Sequence, residues 1–157
     1  ASEEEVPVAR GDVRPLTRRQ RRVVERAVHE AEEATGLQLC VYVGPGEEDT
    51  RAQAEALFVE AGLHTLPAVL VLVEPVRHRV EVVTAPEART RVDDATSKLA
   101  VATMTRQFAR GDLAGGIVAA VDLLAAAAGS GPAPPDAEEL PDVLGPGFGP
   151  ETEEGRG

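Results

Sequence analysis

The chain has 157 residues, enough for one domain with a core of its own plus tails and too few for two. Its net charge of −11 is uneven: residues 16–129 hold 16 acids against 13 bases, while residues 130–157 hold seven acids against one Arg, so the acidity belongs mostly to the termini. A net-acidic chain with 3% aromatics and no Trp lacks the basic footprint and stacking rings of a nucleic-acid binder, and a single cysteine, Cys40, excludes an internal disulfide or a Cys-based zinc cluster.

Leu16, Gln20, Val23, Val24, Ala27, Val28, Ala31 and Ala34 recur at helical spacing after Thr17, an N-cap residue, and Gly36 stops the pattern. This predicts the first helix. Gln38 to Val43 then alternates, with Leu39, Val41 and Val43 on one face and Cys40 and Tyr42 on the other, until Gly44-Pro45-Gly46 ends the first strand. Thr50 with Gln53 three residues on reads as a capping box, opening a second helix whose face is Ala54, Leu57, Phe58 and Ala61. Ala68 to Val73 is unbroken and apolar, as in a strand covered on both faces at the centre of a sheet. Pro75-Val76-Arg77 makes a turn, and Arg79 to Thr84 returns as its hairpin partner. Because strand one reaches strand two through a helix, that pair is parallel and the sheet is mixed. A third helix follows from about Val92 to Ala109 and a fourth from about Leu113 to Ala128.

The corner Phe108-Ala-Arg-Gly-Asp-Leu-Ala-Gly-Gly-Ile117 looks like a phosphate loop, but a phosphate loop needs a strand before its glycines, and here a helix precedes them. Gly111 instead ends helix three, Asp112 caps helix four, and Gly115 with Gly116 permits close helix packing. The organisation expected is a flexible N-terminal segment (1–15), an α/β domain (16–129) and a disordered acidic Pro/Gly-rich tail (130–157). Its fold class is a three-layer α/β/α sandwich, a small mixed sheet flanked by about four helices.

The same corner, an aromatic, then Gly-Asp, a small residue and Gly-Ile, resembles the C-terminal signature of the TPM domain family of thylakoid lumen proteins, photosystem repair factors and bacterial proteins. Glu33-Ala-Thr-Gly-Leu-Gln-Leu-Cys-Val-Tyr-Val43 is similar to that family's first helix, turn and strand, and Ala68 to Val83 to its central hairpin. The resemblance is greatest to an actinobacterial branch of unknown function. It implies a three-layer domain, with calcium binding and acid phosphatase activity in some members. Thr84-Ala-Pro-Glu87 stands where the family has Gly-Tyr-Gly, and Val92-Asp93-Asp94 where it has Thr-Asp, so only the Asp carries over.

Asp93 and Asp94 are the candidate metal ligands, since paired carboxylates at a helix start suit calcium; capping of helix three is the other reading. Glu47-Glu48-Asp49 belongs to the opposite end of the sheet. His29, His64 and His78 lack metal-ligand spacing and read as surface residues, and Cys40 reads as a small buried residue rather than a nucleophile. Arg18-Arg19-Gln20-Arg21-Arg22 places cations at the positive end of a helix dipole, each at a cost of a few tenths of a kcal/mol. An exposed, screened face accounts for them. The sharper reading makes Arg18, Arg19, Arg21 and Arg22 a site for an anion carried by a protein partner or by the acidic tail, where Leu140, Val143, Leu144 and Phe148 are spaced among acids as a docking motif.

No basic-then-apolar leader opens the chain, and the longest apolar run is interrupted by Asp122, so the reading is a cytoplasmic protein without direct membrane insertion. The function expected is a non-catalytic protein-interaction module that requires no cofactor. The alternative is a calcium-binding, acid-phosphatase-like domain using Asp93 and Asp94.

Overall fold

The computed structural model describes residues 16–130 and the backbone of residues 143–144. The N-terminal segment and the rest of the tail lie outside the described residues. Helix α1 (Arg18–Thr35) starts on a full capping box: the Thr17 side chain accepts from Gln20 N at 3.1 Å and the Gln20 side chain accepts from Thr17 N at 2.9 Å. Gly36, at φ 79, ends it in the left-handed conformation. Its buried stripe is Val24, Val28, Ala31 and Thr35; Val23, expected on that stripe, is 50% exposed instead.

Strand β1 (Gln38–Val43) follows after two residues, then helix α2 (Thr50–Glu60), strands β2 (Ala68–Glu74) and β3 (Arg79–Thr84), and helices α3 (Asp94–Ala109) and α4 (Leu113–Ala128). The capping residue of α2 is Asp49, whose carboxylate accepts from Ala52 N at 3.0 Å, and not Thr50. Thr50 is buried and takes a hydrogen bond from Arg79, while Gln53 reaches back to Glu47 N and Pro45 O. A cap is decided by which oxygen reaches the free N–H groups, and here the acid one residue earlier reaches them.

β1 and β2 are parallel over six residue pairs, and β2 and β3 form the antiparallel hairpin. The sheet has a fourth strand, β4 (Val143–Leu144), parallel to β1 at Val41 and Tyr42, giving the order β3-β2-β1-β4. This corrects the expectation of a wholly disordered tail for those two residues.

Alternation along the strands sorts the core into two layers. Leu39, Val41, Val43, Val69, Val71, Val73, Val80 and Val82 face α1, α3 and α4, meeting Val24, Val28, Met104, Phe108, Ile117 and Leu124. Cys40, Leu70, Leu72 and Val83 face α2, meeting Ala54, Phe58 and Leu63. The architecture is the three-layer mixed α/β sandwich read from the sequence. The glycine corner is a corner: Gly111 has φ 82, Asp112 caps α4 through Gly115 N at 2.9 Å, and a Cβ on Gly116 would stand 2.7 Å from the Phe108 ring.

Candidate functional site

The link Gly36–Leu37 folds α1 back along β1, and Glu32 of its last turns reaches over to accept from Leu39 N at 2.9 Å and Gln38 Nε2 at 3.3 Å. The arginine-bearing first turns therefore lie toward the C-terminal end of β1, where β4 pairs, and α1 touches β4 directly. In these turns Arg18, Arg19, Arg22 and Arg26 form no ion pair or side-chain hydrogen bond among the described residues, and the first turn holds no acid. Arg18, Arg22 and Arg26 follow one another at four-residue spacing, where like charges repel. Half-exposed Val23 stands between Arg19 and Arg26 on the same face, giving an apolar centre with a cationic rim. Arg21 is half-buried and engaged. Sequence spacing finds four of these arginines; it misses Arg26 and Val23 as parts of the same face.

The sheet edges beside this face carry their own chemistry. Gln38 N donates to Pro67 O and Gly44 N to Val73 O, so alternate residues of β1 bond toward β2 and Leu39, Val41 and Val43 turn theirs to the open side. Leu39 N is taken by Glu32; Val41 and Tyr42 are the residues against which β4 lies. On the other edge Ala85 N donates to Ala68 O, so Val80, Val82 and Thr84 face outward. There Arg51 Nη1 donates to Val82 O at 2.9 Å and Arg89 Nη2 to Thr84 O at 3.2 Å. Charged side chains that cap edge groups are how sheets avoid unwanted strand pairing.

At the C-terminal ends of the parallel strands, the β1–α2 loop is pinned from the β2–β3 hairpin. Glu74 is 1% exposed and its carboxylate accepts from Val76 N at 2.8 Å and Arg77 N at 3.1 Å, with Arg77 Nε at 3.3 Å. Arg77 donates to Gly46 O and Glu47 O, and Arg79 to Glu48 O at 2.6 Å. The Tyr42 hydroxyl donates to Pro45 O at 3.3 Å, and burial, with a smaller push from Glu47, raises its pKa. An open depression of about 710 Å³ lies here, lined by Glu48, Asp49, Thr50, Arg51, Arg79 and Glu81. Its arginines are committed to the carbonyls of Glu48 in the loop and Val82 on β3, and to Glu55 and Glu81, so it has the character of a braced loop.

Asp93 and Asp94 sit beyond Thr84, at the far end of the sheet from Glu47, Glu48 and Asp49. The Asp93 carboxylate caps α3, accepting from Thr96 N at 2.8 Å, and this bond together with one from the Thr96 side chain lowers its pKa. Asp94 points to solvent and pairs with Lys98 at 3.6 Å. Among the described residues no three His, Cys, Asp or Glu side chains come together as a metal-holding group. His29 pairs with Glu33, His64 and His78 are exposed, and Cys40 is buried mid-strand. No described helix is long and apolar enough to cross a membrane.

A family model described as a domain of unknown function (DUF5130) matches residues 3–125. This overturns the resemblance to the TPM domain family, and with it the support that the resemblance lent to the calcium and phosphatase expectations. The residues that carried the resemblance, Thr35-Gly36 and Gly111-Asp112, turn out to be helix stops and caps, which many unrelated α/β domains need at those points. Among solved structures, the NMR structure of the BA42 protein from the psychrophilic bacterium Bizionia argentinensis is 17% identical with a TM-score of 0.70, covering 85% of this chain and 97% of that one. The N-terminal domain of a protein from P. gingivalis, also solved by NMR, is 17% identical with a TM-score of 0.63, covering 71% of this chain and 75% of that one. At such identities the likeness is one of fold. No curated protein matches the chain.

Proposed function

The chain belongs to the DUF5130 family, and we propose that it works as a non-catalytic protein-interaction module whose contact surface is the basic face of α1. The observation that carries this reading is the set Arg18, Arg19, Arg22 and Arg26, exposed, mutually repelling and with no ion pair or side-chain hydrogen bond among the described residues, around the exposed Val23. A helix stabilises poorly with its cations first, so this arrangement costs the fold a few tenths of a kcal/mol per residue and gains nothing within it. An acidic segment of a partner protein offsets that cost on binding, and screening makes the contact salt-sensitive. The single buried cysteine and the absence of a membrane-crossing helix among the described residues fit a cytoplasmic partner.

The test is a titration of the isotope-labelled chain with hexaglutamate at low salt. Saturable amide shifts confined to residues 17–27, lost in Arg18→Glu/Arg22→Glu/Arg26→Glu and lost again at high salt, are expected. Shifts elsewhere, or equal binding by the charge-reversed variant, would refute it.

A further inference from the structure

We infer that the open edge of β1 at Val41–Val43 is a strand-addition site for an extended segment of a partner protein, and that β4 holds this place in the free chain. The inference rests on reading the domain as an interaction module and names how its partner is held. Three observations converge on it.

First, the carbonyls of Val82 and Thr84 on the β3 edge are capped by Arg51 and Arg89, and the N-terminal part of the β1 edge is closed by Glu32 on Leu39 N. On the C-terminal half of β1, no side-chain hydrogen bond among the described residues caps the outward groups of Val41 and Val43, and a strand lies there. Second, among the described residues that strand pairs at two positions, Val143 with Val41 and Leu144 with Tyr42, whereas β2 pairs with β1 over six. A two-residue parallel ladder is far weaker than its neighbour, so it can be exchanged for a longer one while the rest of the sheet stays intact. Third, α1 touches β4, and the arginines of its first turns lie toward the same end of β1.

A segment entering here meets backbone groups on the sheet edge and cations beside it. The occupant is therefore an extended chain running parallel to β1, with a short aliphatic stretch for the ladder and carboxylates flanking it. The sequence around β4 has this chemistry: Glu138, Glu139 and Asp142 precede Val143-Leu144, and Glu151 follows. Main-chain pairing supplies the affinity in such additions and the flanking charges supply the choice of partner.

The test uses the full chain, the full-length variant Val143→Pro/Leu144→Pro, and a synthetic peptide copying residues 138–148. Proline cannot donate to a ladder, so the double substitution releases β4 without touching the domain. In the wild-type chain the amides of Val41 and Val43 are expected to exchange slowly, and at least tenfold faster in the variant. The peptide in trans is expected to bind the variant at least tenfold more tightly than the wild type, to shift Leu39 to Val43, and to restore slow exchange. Equal exchange in the two chains, equal peptide affinity, or peptide shifts that spare Val41 to Val43 would overturn the inference. A wild-type dimer by sedimentation that becomes a monomer in the variant would also overturn it, by placing a second copy's tail on the edge. The outcome is separable from the hexaglutamate experiment: loss of edge binding with intact hexaglutamate binding condemns the edge alone, and the converse condemns the basic face alone.

Discussion

Glu74→Ala removes the one buried carboxylate of the domain as described, and its effect can be worked from the geometry. The side chain is 1% exposed and accepts from Val76 N and Arg77 N at 2.8 and 3.1 Å. Hydrogen bonds to a charged group contribute about 1.5–3 kcal/mol each; because Val76 and Arg77 are exposed and their N–H groups can recover water, the lower figure applies, about 3 kcal/mol for the two. The ion pair with Arg77, a side chain 41% exposed, adds little beyond this. For a folded unit of about 115 residues, an unfolding entropy of about 2.1 cal/mol/K per residue converts the loss to a melting temperature lower by roughly 12 °C. Calorimetry reads this directly. Arg77 would also lose its anchor, so the amides of Gly46 to Asp49 should shift while those of α3 and α4 stay in place. Glu74→Gln keeps one acceptor oxygen and should retain about half the stability, on the order of 1.5 kcal/mol. A drop below about 1 kcal/mol for Glu74→Ala, or unchanged amides in the 46–49 loop, would show that the hairpin does not brace that loop.

The two adjacent glycines of α4 should respond differently to alanine. In Gly116→Ala the new Cβ meets the Phe108 ring at 2.7 and 3.0 Å and Gln107 Cβ at 3.0 Å, an overpacking of about 2 kcal/mol that outweighs a helix-propensity gain of about 1. In Gly115→Ala the Cβ runs into the Asp112 carboxylate, so the loss of a cap, about 1 kcal/mol, cancels the same gain. Urea midpoints should therefore fall for Gly116→Ala and hold for Gly115→Ala, and a more stable Gly116→Ala chain would refute the packing assigned to Phe108. The lowered pKa of Asp93 makes a pH prediction: the folded chain releases that proton more readily than the unfolded one. Its contribution is therefore complete above the ordinary aspartate pKa and fades as pH falls through the lowered value. A carboxyl titration by NMR should place the Asp93 midpoint below that of an ordinary aspartate, with the Thr96 amide following the same curve; a midpoint at or above the ordinary value would contradict the cap.

Much of the fold was legible because it is written locally. The alternation of Gln38–Val43, the unbroken apolar run of β2 and the Thr17 to Gly36 frame of α1 each encode their element within a dozen or so residues, and the structure keeps all three. What was misread depends on contacts that sequence spacing does not carry. Thr50 looks like a cap until Arg79, 29 residues away, is seen to occupy its hydroxyl, and Asp49 supplies the cap instead. Val23 fits the apolar stripe of α1 by period but falls just outside the arc that faces α4 and the sheet. The tail reads as wholly unstructured by composition, yet two of its residues gain a ladder partner from β1. The family assignment failed for a related reason: caps and stops recur wherever helices end, so they identify an architecture more readily than a lineage.

The placement of charge in this domain follows from the same distinction. Arg51 and Glu32 look like ordinary solvated residues of amphipathic helices, but each spends its charge on a backbone group of a sheet edge, Val82 O and Leu39 N. Arg89 does so from the turn after β3. An edge strand exposes N–H and C=O groups that any extended chain can use, and a small sheet has two such edges to protect. Here the protection is uneven: both edges carry charged caps, and the stretch left uncapped on β1 is the one beside Arg18, Arg19, Arg22 and Arg26 of α1. A domain that only needed to stay monomeric would gain from closing this stretch as well, with a lysine or a bulge. Leaving it to β4 keeps the edge covered against indiscriminate pairing and accessible to a segment that brings both a longer ladder and the acidic charge that the first turn of α1 lacks.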